Sequence, residues 1–516
     1  MSQNENAAIW LLDRHIAEGR GDKIVFREAT GDKREITYAE LSARSGIVAG
    51  AFQRAGIRRE ERVACLILDQ IEYPEVFWGG LKAGVIPVAL NTLLTAETYD
   101  VILRDSRAAC LIVSTELLPT VMPVLQGNPH LRKVIVIGDA SETNIDAISY
   151  TDFLTDAPSY PPIEVNADEC AFWLYSSGST GQPKGVRHVH GALKATADTY
   201  GAQVLNIQPD DVVFSVAKIF FAYGLGNAMT FPMSVGATTI LFNGRPTPDT
   251  VLSIIENERP TVFCGVPTLY AATLAAIEQN GTPPPNNMRI CLSAGEALPA
   301  EIGIRWNALC GVDILDGVGS TEMLHIFLSN HPSDIVYGTS GKAVPGYDLR
   351  CVDENGADVP LGGVGEVVVR GASAADGYWN QRDKSRATFE GEWTRTGDKY
   401  EVGENGRYIY CGRTDDMFKV SGIWVSPFEV EQAIAAHPSV LEAAVVAARD
   451  EDDLEKPKAF VVLKDGEDAD ATRDTLKEFV KDRIGKWKYP RWIEIVDDLP
   501  KTATGKIQRF KLRDPA

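Results

Sequence analysis

From about residue 36 to residue 240 helical patterns alternate with short β-branched runs, and this alternation constrains the fold more than any other feature of the chain. Residues 38–55 place their apolar side chains on one helical face, while 63–67, 110–113, 133–137 and 237–242 are short runs suited to a buried sheet. Further runs at 261–264, 289–293 and 312–315 continue the alternation. Parallel strands need crossover connections that cover the faces of their sheet, so the expectation is a layered α/β body. Around 349–370 strand follows strand, with Glu354, Asn355, Gly356, Gly362 and Gly363 at the turns. That predicts a small antiparallel or barrel-like unit over about 345–412, with its last strand at 407–410. Beyond Gly412 the pattern restarts with a charged turn at 413–416, a helix over 427–436 and strands at 443–447 and 459–463. A helix over 472–484 and a strand at 492–495 follow. The expected organisation is a large α/β domain over 1–412 and a small, mobile α+β domain over 413–516. The charge-rich stretch 450–458 reads as a solvated loop.

Charge narrows the choice of partners. Fifty-one Lys and Arg against 71 Asp and Glu give a net charge of −20, a field that repels phosphate backbones and anionic headgroups. No nucleic-acid or membrane partner is expected, and an anionic ligand must meet its positive charge locally. The eight Cys (Cys65, Cys110, Cys170, Cys264, Cys291, Cys310, Cys351 and Cys411) are scattered, with no CxxC or CxxH spacing, and read as reduced core thiols. No stretch reaches the roughly 18 apolar residues of a spanning helix, so a cytoplasmic monomer or homodimer is expected.

The sharpest local signal is Tyr175-Ser176-Ser177-Gly178-Ser179-Thr180-Gly181-Gln182-Pro183-Lys184-Gly185. Hydroxyls, glycines and a lysine packed this closely let backbone N–H groups and a cation surround phosphate oxygens. It is not a Walker A loop: aligned on Gly178 and Lys184, that pattern requires Gly at Pro183 and Ser or Thr at Gly185. Nor is there a dinucleotide fingerprint, because Gly317-Val318-Gly319 and Gly224-Leu225-Gly226 are followed by Glu322 and Met229 where the third glycine belongs.

Four further motifs follow in order: Gly319-Ser320-Thr321-Glu322, Thr396-Gly397-Asp398, Gly412-Arg413-Thr414-Asp415-Asp416 and Pro500-Lys501-Thr502-Ala503-Thr504-Gly505-Lys506. With the Ser/Thr/Gly loop they give the chain, over essentially its whole length, the motif order of the acyl-adenylate-forming superfamily of acyl-CoA synthetases, nonribosomal adenylation domains and firefly luciferase, which it resembles. Lys218-Ile219-Phe220-Phe221-Ala222-Tyr223-Gly224-Leu225-Gly226-Asn227 and Thr321-Glu322-Met323-Leu324-His325-Ile326-Phe327 look like its benzoate–CoA ligase branch.

The resemblance implies an ATP- and Mg²⁺-dependent aryl-CoA ligase that joins benzoate to coenzyme A through benzoyl-AMP. A substituted benzoate, or a stand-alone adenylation enzyme loading a carrier protein, stays open as an alternative. By resemblance Lys506, Thr321 and Glu322 are catalytic, with Glu322 on the metal. Taken alone, Lys506 would be a solvated tail lysine. Ser176, Ser177, Gly178, Ser179, Thr180, Lys184, Gly295, Glu296, Asp316, Gly317, Asp398 and Arg413 bind ATP. Relatives usually carry an aromatic where this chain has Gly317-Val318-Gly319, so adenine stacking there is in question. Ala222, Tyr223, Ala294, Gly317, Gly319, His325 and Ile326 line the acyl pocket; read without the resemblance, these are core-packing positions. Asp415 is the hinge, and Lys419, Ser421 and Gly422 line the coenzyme A tunnel.

Overall fold

The computed structural model describes residues 4–140, 146–177, 182–281, 283, 287–414, 416–420, 423–451, 454–464, 466–485, 488–501 and 507–513. Contacts divide the chain into two compact units, 1–348 with 369–394 and 349–368 with 395–516. The compact units therefore differ from the expected line at 412/413.

The first unit is a mixed α/β body with two large sheets. One sheet runs Gly377–Tyr378, Pro183–Val189, Cys170–Ser177, Ile86–Ala89, Arg62–Leu66, Cys110–Ser114, Lys133–Ile137 and Ala147–Ser149. Its central strands pair in parallel, as the near-continuous apolar runs require, while Cys170–Ser177 and Pro183–Val189 form an antiparallel hairpin. The other sheet runs Lys342–Ala343, Ile326–Ser329, Ile314–Gly319, Ile290–Ser293, Val262–Gly265, Val212–Ser215, Thr238–Leu241, Ile24–Glu28 and Glu35–Thr37. Antiparallel strands occur only towards its ends, at Ile326–Ser329, Lys342–Ala343 and Glu35–Thr37.

Helix Tyr38–Arg54 starts where Thr37 accepts from the Glu40 N–H at 3.2 Å while Glu40 Oε2 accepts from the Thr37 N–H at 2.9 Å. This reciprocal cap satisfies two otherwise orphaned donors. The helix lies on Glu72–Ala83 so closely that a Cβ on Gly79 would stand 2.5 Å from Val48 Cγ1. Phe52, Phe77 and Trp78 are buried beside that crossing, each large side chain contributing roughly 1.5–3 kcal/mol of apolar burial.

In the second unit Asp348–Val352, Val364–Arg370 and Trp393–Val402 lie side by side, and Tyr408–Arg413 pairs antiparallel with Trp393–Val402. Val440–Arg449, Glu455–Leu463 and Trp492–Ile495 form a separate three-stranded sheet packed against helices Pro427–Ala435 and Ala469–Ile484. Two expectations need correction. The strand expected at 407–410 continues through Arg413, which pairs with Asp398, and the turn expected at 413–416 starts from that last strand residue, whose carbonyl accepts from the Asp416 N–H at 3.0 Å. The loop expected at 450–458 is a hairpin connection whose second strand begins at Glu455; Lys456 and Lys458 sit in that strand, facing Asp450 and Glu494 at 3.4 and 3.2 Å. All eight cysteines are free thiols. No helix among the described residues is long and apolar enough to cross a membrane.

Candidate active site

In the first unit the hairpin sets Ser176 opposite Lys184 and Ser177 opposite Pro183, so the phosphate-type loop begins and ends on paired strands. Gly178, Ser179 and Thr180 lie outside the described residues. Tyr175 anchors the base: its hydroxyl donates to Asp105 Oδ2 at 2.6 Å, and its ring fills the space a Cβ on Gly185 would need. The Ser176 hydroxyl is buried and has no partner among the described residues. A buried hydroxyl left unpaired is costly, and a ligand oxygen would satisfy it.

Lys184 leaves this strand toward Glu322, which follows the strand Ile314–Gly319. Their charged atoms stand 3.6 Å apart, with each side chain 16% exposed. Tyr378, which the sequence reading did not single out, lies between them. Its hydroxyl donates to Glu322 Oε1 at 2.7 Å and accepts from Lys184 Nζ at 3.2 Å. Thr321 is half-buried next to Glu322, and its carbonyl accepts from the Leu324 N–H.

The turn after Thr321 is tight. Leu324 has φ +63°, an uncommon conformation for a buried leucine, and a Cβ on Gly319 would stand 2.5 Å from the His325 carbonyl oxygen. Gly317 faces Ile326 closely enough that a Cβ would come 2.8 Å from Ile326 Cδ1. At Gly319 the neighbour is backbone, so only glycine fits there while the chain doubles back; at Gly317 a larger residue would need the Ile326 side chain to turn aside.

His325 is buried. Its Nε2 lies 3.3 Å from the Tyr223 carbonyl, and its ring meets those of Phe231, Tyr200 and Tyr223 at 4.5, 5.2 and 5.8 Å. Burial pushes its pKa down to about 3, so the ring is neutral at physiological pH. With Nε2–H donating to Tyr223, Nδ1 is a bare acceptor without a partner among the described residues. The Tyr223 hydroxyl donates to Gly265 O at 3.2 Å. Tyr223, His325, Gly319, Ile326 and Gly317 are thus brought into one apolar group. Ala294, also buried, extends the strand that pairs with Ile314–Gly319, while Ala222 is half-buried beside Tyr223.

Asp316 is buried with Oδ1 unpartnered among the described residues, and burial drives its carboxyl well above the usual carboxylate range despite opposing backbone hydrogen bonds at Leu298 and Gly317. Such a group suits a ligand that offers a donor. Gly295, at φ +95°, and Glu296 follow Ala294 on the neighbouring strand end.

In the second unit Asp398 and Arg413 are cross-strand partners. Arg413 Nη1 donates to Asp398 Oδ1 at 3.0 Å and to Thr396 O at 3.1 Å. Gly397, at φ +71°, leaves room for the guanidinium, since a Cβ there would stand 2.8 Å from Arg413 Nη2. Lys419 lies in the short strand Phe418–Val420, whose partner is Ile423–Val425. Asp415, Ser421, Gly422 and Lys506 lie outside the described residues.

This arrangement offers a cation and a carboxylate on and near the hairpin that carries Ser176, and a packed apolar group around a neutral imidazole. Comparisons with known proteins bear on it directly. The AMP-binding enzyme family model matches residues 13–379, and the model of the AMP-binding enzyme C-terminal domain matches residues 429–506. The chain is 50% identical over 511 residues to a 4-hydroxybenzoate–CoA/benzoate–CoA ligase of Rhodopseudomonas palustris, covering 99% of this chain and 94% of that one. It is 52% identical over 513 residues to a benzoate–CoA ligase of Thauera aromatica, covering 98% and 95%. Among solved structures, a benzoate CoA ligase from Burkholderia xenovorans matches with TM-score 0.89 at 47% identity, over 99% of this chain and 100% of that one. An anthranilate CoA ligase in complex with anthranoyl-AMP matches with TM-score 0.93 at 42% identity, over 99% and 97%. With matches of this length, the chain belongs to the AMP-binding enzyme family.

Proposed function

We propose that the protein is an ATP-dependent aryl-CoA ligase that converts benzoate, ATP and coenzyme A to benzoyl-CoA, AMP and pyrophosphate. The observation that carries this reading is the apolar group of Tyr223, His325, Ile326 and the two close-packed glycines, in a chain half-identical over nearly its full length to benzoate–CoA ligases.

The chemistry proceeds in two displacements. A benzoate oxygen attacks the α-phosphorus of ATP, and the bond to pyrophosphate breaks. The coenzyme A sulfur then attacks the acyl carbon and AMP leaves with the electron pair, the thiol proton passing to solvent. Both steps need charge neutralised more than covalent help from the protein. In a chain of net charge −20 that neutralisation is local. Lys184 and Thr180 hold the β- and γ-phosphates, and Ser176, Ser177, Gly178 and Ser179 supply hydroxyl and backbone donors. Thr321 and Glu322 serve the α-phosphate and the metal. Gly295, Glu296, Asp316 and Gly317 bound the adenine side, where the buried Asp316 carboxyl can take an exocyclic amine. Asp398 accepts the ribose hydroxyls, with Arg413 beside it. Lys506 joins the substrate carboxylate to the α-phosphate during adenylation. Rotation of 413–516 against 1–412 about Asp415 then turns the site to thioester formation, with Lys419, Ser421 and Gly422 along the pantetheine.

No group of three or more His, Cys, Asp or Glu among the described residues could hold a metal ion. Glu322 nevertheless fits Mg²⁺, which commonly takes one or two carboxylates and completes its shell with substrate phosphates and water. Bound there with ATP, Mg²⁺ would neutralise phosphate charge.

One observation favours a second reading, a hydroxy- or amino-benzoate. His325 Nδ1 is a buried acceptor, and a ring donor would pair it. A pyrophosphate-release panel across benzoate, 4-hydroxybenzoate, 2-aminobenzoate and cyclohexanecarboxylate decides. The main reading expects the highest kcat/KM for benzoate. A preference of about tenfold or more for a donor-bearing ring, the scale of one well-placed hydrogen bond, would replace it with the second.

A further inference from the structure

Tyr378 stands outside every motif considered above, yet its hydroxyl is closer to Lys184 and to Glu322 than those two groups are to each other. The distances are 3.2 and 2.7 Å, against 3.6 Å for the direct pair. We propose that Tyr378 is a positioning residue that presents the Glu322 carboxylate to the cation arriving with ATP and holds Lys184 apart from it until phosphate displaces the phenol. The proposal rests on the reading of Lys184 as a phosphate ligand and Glu322 as the metal ligand.

The phenol is fixed from several sides. Tyr378 is buried at 5% exposure in the edge strand Gly377–Tyr378, where it pairs with Val186 of the strand that carries Lys184. Its own N–H donates to Ser385 Oγ at 3.0 Å, and the next N–H, of Trp379, donates to Gly185 O at 2.8 Å. Trp379 in turn donates from Nε1 to Asp105 O, so the strand is tied to the same residue that holds Tyr175. Three residues before Tyr378, the Ala375 N–H donates to the Glu322 carbonyl at 2.8 Å, tying the strand's approach to the Glu322 backbone. The ring rests on Phe389 at 5.4 Å. A hydroxyl held this way has little freedom left to lose when it fixes Glu322 Oε1, which is the condition for preorganisation.

The chemistry of the phenol explains why a tyrosine suits this place. One O–H donates to the carboxylate while the oxygen lone pairs accept from the ammonium, so one atom serves both charges without carrying any. Lys184 Nζ also lies 4.3 Å from the Tyr378 ring centroid, a cation–π contact that gives the ammonium a resting place short of full pairing with Glu322. Without the hydroxyl, the two partly buried ions would close on each other, and MgATP would have to separate them.

Tyr378→Phe keeps the ring, its packing and the cation–π contact and removes the bridge, together with the hydroxyl's longer contact to Thr388 Oγ1 at 3.4 Å. ATP binding is measured by calorimetry on the full chain, with Mg²⁺ and again in excess chelator, alongside melting temperature and the KM for benzoate. The expected result is affinity for ATP weakened about 10–100-fold with Mg²⁺, the range of a hydrogen bond to a charged group, and by a smaller factor in chelator, where only Lys184 has to leave Glu322, with little change in benzoate KM or in melting temperature. Equal weakening in both conditions, no weakening at all, or a fall in melting temperature accompanied by a rise in benzoate KM would overturn the proposal. Glu322→Gln, alone and combined with Tyr378→Phe, separates the two layers of the argument. If Glu322→Gln leaves the Mg²⁺-dependent part of binding intact, the metal reading of Glu322 fails and the proposal with it. If Glu322→Gln removes that part and Tyr378→Phe does not, only the role of Tyr378 fails. Effects of the two substitutions that do not add support the bridge.

Discussion

Replacing Gly226 by Ala should damage the acyl slot while leaving nucleotide binding alone. Gly226 opens a π-helical turn, Gly226–Thr230, a form that often marks functional sites. A Cβ there would stand 2.4 Å from His325 Cδ2, 2.6 Å from His325 Nε2 and 2.9 Å from Phe231 Cζ. Carbon atoms normally rest about 3.5–4.0 Å apart, so the imidazole would have to retreat by about 1 Å or more. It has nowhere easy to go, because Phe231, Tyr200 and Tyr223 already surround it. Overpacking of this kind costs about 1–3 kcal/mol. Displacing Nε2 also weakens its hydrogen bond to Tyr223 O, worth about 0.5–1.5 kcal/mol. If the ring moves into the slot, kcat/KM for benzoate should fall about 5–150-fold, since each 1.36 kcal/mol is a factor of ten. The assay is benzoate-dependent pyrophosphate release, with ATP affinity measured in parallel. Gly226→Ala combined with His325→Ala should recover part of the loss, because the new methyl then occupies space the ring has left. Unchanged benzoate kinetics with an unchanged melting temperature would refute this placement of His325; an equal loss of ATP affinity would show a general distortion instead.

Other predictions test other parts of the account. Lys506→Ala should slow adenylation by about 10²–10³, as the loss of a charge aimed at the transition state does, while thioester formation from supplied benzoyl-AMP survives; equal loss in both half-reactions contradicts the assignment. Asp415→Pro should leave pyrophosphate release near normal and abolish thioester formation, because proline fixes one backbone conformation; two normal half-reactions would place the hinge elsewhere. Asp69 is buried, its two oxygens 3.3 Å from the Ile219 N–H, and burial pushes its carboxyl up to about 6 against the opposing pull of Lys218. A raised folded-state carboxyl costs stability as pH rises from about 4 to about 6, and the full cost, about 3 kcal/mol, stays above that window. Asp69→Asn keeps an acceptor for Ile219 and should therefore raise the apparent melting temperature near pH 7 more than near pH 4; a pH-independent gap contradicts the cause.

How far the chain was legible depended on whether the physics was local. The apolar runs at 110–113 and 133–137 lie where strands form, because buried strands are written in consecutive residues. The phosphate-type hairpin was legible for the same reason, since Ser176 and Lys184 lie only eight residues apart and pair on neighbouring strands. Tyr378 was not. Its partner Glu322 is 56 residues away, and only an edge strand added to Pro183–Val189 brings them together. The one available signal was an isolated Gly-Tyr-Trp after a turn, which resembles any core strand. The stretch 450–458 misled because charged residues on a strand pair with neighbours rather than with water, and composition cannot tell the two apart. The π-helical turns at Ile9–Asp13, Ala197–Val204 and Gly226–Thr230 leave no periodicity to read. His325 was ambiguous in sequence because an isolated histidine in an apolar run fits core and pocket equally; the crowding of rings around it and its unpaired Nδ1 are facts of tertiary structure.

The central claim is the two-step ligation itself. Purified protein is incubated with ATP, Mg²⁺, benzoate and coenzyme A, without any carrier protein, and the products are identified by mass spectrometry. The account predicts benzoyl-CoA and AMP in equal amounts, with pyrophosphate released and no product formed when benzoate is omitted. ADP and phosphate in place of AMP and pyrophosphate, or benzoyl-AMP that accumulates without passing to coenzyme A, would contradict it.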